Sequence, residues 1–348
     1  MTRRRHFPTT MLSVESMEPK MWARHLARVR RLHGDALLVP MPWSPKPTLD
    51  ELIRQPKADL GAMEQQVDQA RRLRLGVYVE LDLPEPDGDL HPQDALAALQ
   101  DLHLRPIMDL DVSGLLVRQA QRWPATCLWS LERLVRMKEG AVLIADAGHT
   151  PDAALMDGQV DAMVDPSGSA GLCRYLRGQI SGAALARHLL GIQTRVGLVL
   201  AGRVFNPIAG LDLPPDLFAM AVPLVYCLRG YPLLPPPPAP LPESVFGVAG
   251  QLRSNSSALR HGRFVDLSPP ERPEVFAFAR VDELRQSPLV VVARRSPGPA
   301  LSVPLRLGQF DISSPFRALV GHMEPRCLDE GWLDLPATTE SELLVLGQ

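Results

Sequence analysis

Aromatic residues make up only 5% of the 348 positions, which counts against an extended surface that grips its ligand by stacking on side-chain faces. Cysteine is scarcer still. Cys127, Cys173, Cys227 and Cys327 are scattered, with no C-x-x-C pair and no histidine at ligand spacing, so a zinc module and a disulfide scaffold are excluded and reduced structural thiols are expected. No apolar run reaches the ~18 residues of a membrane span. The basic cluster Arg3 to Arg5 is followed by Thr9, Thr10, Ser13, Glu15 and Glu18 in place of an apolar h-region, so a cytoplasmic protein is expected. Net charge is also missing: a formal value of -2 supplies no field to recruit nucleic acid or an anionic membrane. Glycine-rich phosphate loops, a G-x-S-x-G elbow and an H-E-x-x-H motif are absent, and neither a metal nor a cofactor is expected.

What is present is a chain with 45% hydrophobic and 22% charged residues, long enough for two packed domains. Met21 to Leu32 places Trp22, Leu26, Val29 and Leu32 at helical spacing, and the short apolar run after Asp35 reads as a parallel strand covered on both faces. The alternation then repeats. A helical region from Thr48 to Leu75 precedes a strand from Gly76, and a helix over Gln93 to Leu102 precedes a strand over Pro106 to Asp111. Helices over Ser113 to Arg122 and Leu128 to Lys138 precede the strand Ala141 to Ala147. A weaker strand over Val160 to Asp165 follows, with helices over Leu172 to Gln179 and Ala183 to Ile192. Strands at Val196 to Gly202 and Tyr231 to Leu234 flank a helix over Pro215 to Leu228. Seven or eight such units predict a mainly parallel sheet closed into a (β/α)8 barrel with trimmed loops.

Pro235 to Pro242 reads as a stiff polyproline connector, and Ser244 to Gly262 as one more helix. Beyond it the period changes to two, at Val275 to Arg280, Leu289 to Arg294, Leu301 to Leu307 and Glu342 to Leu346. A barrel over residues 1–262 and an antiparallel C-terminal β-sandwich over 263–348 are therefore expected.

The order of these segments resembles the α-amylase superfamily, glycoside hydrolase family 13, and within it the trehalose synthase and maltogenic amylase-like members. The stretch Trp22 to Pro45 is similar to the family's helix and second strand, which end in an "L-x-P-x-x-S-P" turn; Leu73 to Leu81 looks like its third strand. Ser257 to Phe264, Val275 to Arg280 and Leu289 to Pro299 resemble its last barrel helix and C-terminal domain. The resemblance implies that the fourth strand carries a nucleophilic aspartate, matched by Asp109, and the fifth an acid, matched by Asp146. It also implies α-glucans or small saccharides as ligands.

The departures from the family are extensive. The arginine two residues before the nucleophile is Ile107, and Asp146 replaces a glutamate one methylene longer. The third-strand pattern D-x-x-x-N-H reads Glu80-Leu-Asp-Leu-Pro84-Glu85, and the seventh-strand N-H-D aligns with Ala201-Gly202-Arg203. Retaining hydrolysis needs two carboxyl groups about 5 Å apart at the C-terminal ends of barrel strands. Glu80 and Asp82 invite either an acid–base reading or a structural ion pair with an arginine on a neighbouring strand. His149 is a candidate ligand contact, and Arg203 a candidate counter-ion for Asp146 or Asp109. The expectation is a degenerate barrel with little or no hydrolase activity that binds carbohydrate or a protein partner; the alternative is an active glycosidase using Asp109 and Asp146.

Overall fold

A computed structural model describes residues 7–15, 17–41, 60–82, 96–97, 99–146, 148, 160–195, 203–208, 211, 213–236, 243–282, 287–305, 316–321, 326–328 and 331–347. Eight short strands pair in parallel and close on themselves: β1 (Met11–Ser13), β2 (Ala36–Pro40), β3 (Gly76–Leu81), β4 (Gly114–Val117), β5 (Val142–Asp146), β6 (Ala162–Val164), β7 (Val204–Pro207) and β8 (Tyr231–Leu234). The closing pair sets Met11 of β1 opposite Leu233 of β8. The expected barrel is thus the fold. Its strands are apolar runs because helices cover the outside while side chains fill the inside, so both faces are dry. Along each strand every second residue points inward, and Ala36 and Leu38 of β2, Tyr78 of β3, Leu116 of β4, and Val142 and Ile144 of β5 share one buried cluster.

Two strands lie elsewhere than the sequence reading placed them. Arg105–Asp109 is helical, not part of a strand, and the fourth strand is Gly114–Val117, inside the stretch expected to be a helix. Pro106 sits in the first turn of that helix, where its missing N–H is harmless. The seventh strand is Val204–Pro207, after the expected run; residues 196–202 lie outside the described residues. Residues 48–59 and 237–242 lie outside them too, and the helix expected from Thr48 is seen as Gly61–Arg72.

The barrel is started by one carboxylate. Asp35, just before β2, accepts from the Thr9 amide at 2.8 and 2.9 Å, the Thr9 hydroxyl at 3.0 Å and the Thr10 amide at 3.1 Å. Four hydrogen bonds from three donors to a charged acceptor hold the segment before β1 against β2, which matters because β1 is only three residues long.

Beyond the barrel come β9 (Arg263–Asp266), β10 (Val275–Asp282), β11 (Ser287–Arg294), β12 (Leu301–Pro304), β13 (Arg317–Val320), β14 (Arg326–Leu328), β15 (Trp332–Leu335) and β16 (Glu342–Gly347). They form a five-stranded antiparallel sheet, β13-β16-β11-β10-β9, and a three-stranded one, β12-β15-β14. Val290 and Val292 of β11, Leu344 and Leu346 of β16, Val303 of β12 and Leu333 of β15 belong to one core, which the period-two patterning predicts. The described residues fall into two compact units. The first is Met1–Pro166 with Arg203–Ala209 and Tyr231–Ala239; the second is Ser167–Gly202, Gly210–Gly230 and Pro240–Gln348.

Within the second unit, two buried arginines satisfy backbone carbonyls. Arg280 of β10 donates to Cys227 O at 2.9 Å and to Gly262 O at 2.8 and 3.2 Å, while Arg253 donates to Tyr226 O at 2.7 Å, Leu228 O at 3.3 Å and Gly230 O. These carbonyls include the last ones of the helix Pro215–Cys227, which have no partner inside the helix. Burial, and then the like charge of Arg253, push the Arg280 pKa down to about 9, which still leaves it charged at neutral pH. Gly182, at the start of the helix Gly182–Arg195, meets β10 so closely that a Cβ would lie 1.8 Å from Val275 O. Only glycine fits there.

Two stability experiments follow from this packing. Arg280→Met leaves the Cys227 and Gly262 carbonyls unpaired in a dry site and should destabilise by about 2–4 kcal/mol, read as a lower midpoint in urea unfolding. His25, only 3% exposed, has its pKa lowered by burial and by Arg28 against the opposing pull of Glu15. A base held neutral in the fold favours the folded state above its unfolded pKa of roughly 6.5, and that contribution is lost as pH falls below it. The melting temperature should therefore drop between pH 7 and pH 5, and drop less in His25→Gln.

Candidate functional site

The inward rows of the barrel do not stop at the core. Counting on by two from Tyr78, Leu116 and Ile144 reaches Glu80, Arg118 and Asp146, on three adjacent strands at their C-terminal ends. Their side chains meet. Arg118 donates through Nε to Glu80 Oε1 at 2.7 Å, through Nη2 to Glu80 Oε2 at 3.2 Å, and through Nη1 to Asp146 Oδ2 at 2.8 Å. The remaining Asp146 oxygen accepts from the Gly148 amide at 3.1 Å, a local turn that Gly148 permits by adopting φ +64°. All three side chains are largely buried, with exposures of 29%, 21% and 16% for Arg118, Glu80 and Asp146. Burial alone would lower the Arg118 pKa, but the hydrogen bonds and charges of Glu80 and then Asp146 outweigh it and raise the pKa above its ordinary value.

Of the residues singled out in the sequence, this ring therefore contains Glu80 and Asp146. Glu80 makes the ion pair with a neighbouring strand's arginine that was one of its two readings. Asp82 lies just past β3 and is partly buried. Asp109 is exposed at the end of the helix Arg105–Asp109, ahead of β4, and so on the side of the barrel where strands begin. Asp146 ends β5, a strand whose five residues rise ~3.3 Å each, so the two aspartates occupy opposite ends of the barrel. The pair expected about 5 Å apart does not form. Asp111, expected to share a strand with Asp109, instead pairs with Arg71 at 3.1 Å and Lys138 at 3.3 Å.

Arg203 is also corrected. It precedes β7 instead of following a strand, and its guanidinium lies 5.1 Å above the Phe7 ring, which in turn stacks on Tyr231, the first residue of β8. An arginine does bridge the mouth carboxylates, but it is Arg118. His149 lies outside the described residues.

Arg118 is the site residue that the sequence reading missed. The signal was there: Gly114–Val117 is an apolar run that ends in a charged residue, in the same format as Val142–Asp146. Chemically, a guanidinium is protonated at all accessible pH and has no lone pair to give, so it serves neither as nucleophile nor as general base. Neither β4 (GLLV) nor β7 (VFNP) carries a carboxylate. Among the described residues no three histidines, cysteines or carboxylates gather as metal ligands.

No protein-family model matches the chain, and none of the curated proteins matches it. Solved structures do. A debranching enzyme of Nostoc punctiforme soaked with acarbose is similar at a TM-score of 0.73 and 11% identity, over 98% of this chain and 98% of that one. An α-amylase of Anoxybacillus is similar at 0.75 and 12%, over 97% of each chain. Cyclic α-maltosyl-(1→6)-maltose hydrolase of Arthrobacter globiformis, in complex with cyclic α-maltosyl-(1→6)-maltose, is similar at 0.68 and 11%, over 98% of each. These neighbours are α-amylase-superfamily enzymes, and the chain shares their fold.

The ring at the mouth is a charge-balanced unit with a pH signature. Arg118→Met leaves two carboxylates facing each other in a poorly hydrated site and should destabilise by about 1–3 kcal/mol at pH 7, between the values for exposed and fully buried pairs. Protonation relieves that repulsion, so the gap to the unmodified chain should narrow at pH 4 in parallel urea titrations. A triple variant, Glu80→Gln, Arg118→Met and Asp146→Asn, should recover most of the loss at pH 7.

Proposed function

We propose that this chain is an α-amylase-type barrel whose mouth does not perform glycoside hydrolysis, and that it serves in the cytoplasm as a carbohydrate-binding or partner-binding protein. The observation that carries the reading is Arg118. It stands at the end of the fourth strand, where the resemblance calls for a nucleophilic aspartate, and it takes up oxygens of both carboxylates beside it. A retaining mechanism needs one carboxylate free to attack and another able to give a proton, about 5 Å apart. Glu80 and Asp146 are instead two ends of one ion-pair network. The alternative that uses Asp109 as nucleophile has no support in geometry, because Asp109 is exposed ahead of β4.

Support for carbohydrate as the ligand class comes from the shared fold, since the Nostoc and Arthrobacter enzymes are described with acarbose and a cyclic maltosyl-maltose. The same reading takes residues 1–262 as the barrel module and 263–348 as the β-module attached to it.

Incubation of the purified chain with maltose, trehalose, maltooligosaccharides and aryl α-glucosides should release no product above a buffer control. Turnover that disappears in Asp146→Asn would overturn the reading. In thermal-shift measurements, a sugar at 100 times its dissociation constant adds about 2.7 kcal/mol of stability. A shift identifies a sugar-binding role, whereas no shift with any sugar directs the same reading to a protein partner.

A further inference from the structure

The charge of the chain is not spread evenly. Its first 34 residues hold eight lysines and arginines against two acids, Glu15 and Glu18, although the whole chain totals -2. Every later stretch taken together therefore carries an excess of acids. Arg3 to Arg5 lie outside the described residues, and the other five cations share one helix, Pro19–Arg31, which contains no acid.

The inner face of this helix buries Trp22, His25, Leu26, Arg28 and Val29. After Pro19, every exposed residue of its outer face is basic or alanine: Lys20, Ala23, Arg24, Ala27, Arg30 and Arg31. At ~100° per residue, Lys20, Arg24 and Arg31 fall within about 40° of one another around the axis, as a stripe about 17 Å long. Arg30 and Arg31 lie in the last turn, where the helix dipole favours cations. Lys20 lies in the first turn, where the dipole favours an acid, and it repels Arg24 one turn further on. The helix itself gains nothing from these two side chains. Among the described residues Lys20, Arg24 and Arg30 make no ion pair. The helix packs against Gly61–Arg72, and the two lead into the adjacent parallel strands β2 and β3, so exposed Arg72 and Arg74 extend the basic surface at the same end of the barrel as Arg30 and Arg31.

The surroundings of the stripe choose the partner. A helix that enters a membrane surface presents large apolar side chains, but Trp22, Leu26 and Val29 are already buried and the outer face offers only alanines. A long polyanion, such as duplex DNA or a lipid sheet, extends far beyond the stripe. It brings its charge against the acidic remainder of the chain, within a Debye length of about 8 Å. A short run of carboxylates avoids that repulsion, and the planar fork of arginine pairs with carboxylates two bonds at a time.

We propose that the outer face of the helix Pro19–Arg31 docks a short acidic segment of a partner protein, with Lys20, Arg24, Arg30 and Arg31 as its contacts. The proposal rests on the partner-binding side of the reading above and names the chemistry of that partner.

Fluorescence anisotropy of a labelled oligoglutamate peptide as long as the helix, titrated with the full chain, tests it. The peptide should bind at low ionic strength and bind more weakly as salt rises. Lys20→Glu combined with Arg24→Glu should weaken binding about tenfold or more. Arg174→Glu combined with Arg187→Glu makes the same change of net charge on two helices of the second unit, and should leave binding unchanged. All four side chains are exposed, so both double variants should keep the melting temperature of the unmodified chain. Equal loss in the two double variants assigns binding to net charge and overturns the proposal. So does no binding of the peptide at low salt, or tighter binding of a DNA duplex or of phosphatidylserine vesicles. Failure of the titration leaves the sugar-binding form of the reading standing, whereas sugar hydrolysis strikes at the non-catalytic reading and is measured separately by product analysis.

Discussion

The constraint on which the rest depends is the alternation of side chains along eight parallel strands that close on one another. Once Tyr78, Leu116 and Ile144 are committed to the core, the residues two further on have no choice of direction and must project into the barrel mouth. Glu80, Arg118 and Asp146 are therefore neighbours by topology, although 66 positions separate the first from the last. A charge in that ring is partly cut off from water, and it is tolerable only if the adjacent strands return the opposite sign. Arginine suits the middle strand because its planar fork can serve two carboxylates at once, as lysine's single ammonium point does less well. The composition of the mouth is thus a property of three strands together, and a change on one alters the surroundings of the other two.

This coupling also explains what could be read from the residues alone. Strands β2, β3 and β5 stood out because each is a continuous apolar run after a helical pattern, and β10, β11 and β16 because the period changes to two there, between proline and glycine turns. The fourth strand was hidden by competition. Pro106 to Asp111 has an alternating acidic pattern that imitates a strand, whereas Gly114–Val117 is only four residues long, and short apolar runs do not distinguish helix from strand by period. Misplacing that strand carried Asp109 to the wrong end of the barrel and Arg118 out of view. Arg203 failed for a related reason. Two apolar runs flank it, and choosing the earlier one moved it from the beginning of a strand to the end. Asp146 was legible because a charge closing a wholly apolar strand is conspicuous; its partner required knowing which strands are adjacent.

The two ends of the barrel have become chemically unlike. At the ends where strands finish, carboxylates and a guanidinium neutralise one another directly through short hydrogen bonds. At the ends where strands begin, acids and bases line a surface hollow, and among them Asp35 is held in place by its contacts with Thr9. Enzymes of this architecture place their chemistry at the first of these ends because loop variation there does not disturb the packed base. In this chain the first end is occupied by its own ions.

The chain passes between its two compact units five times, after Pro166, Gly202, Ala209, Gly230 and Ala239. Such interleaving means that no single scission yields two self-sufficient pieces. During synthesis the first unit lacks its last segment until Ala239 has left the ribosome, so about two-thirds of the polypeptide must wait, incompletely paired, before either body can close. Long-range closure of this kind is slow, and a nascent chain with open strand edges is a natural client for chaperones.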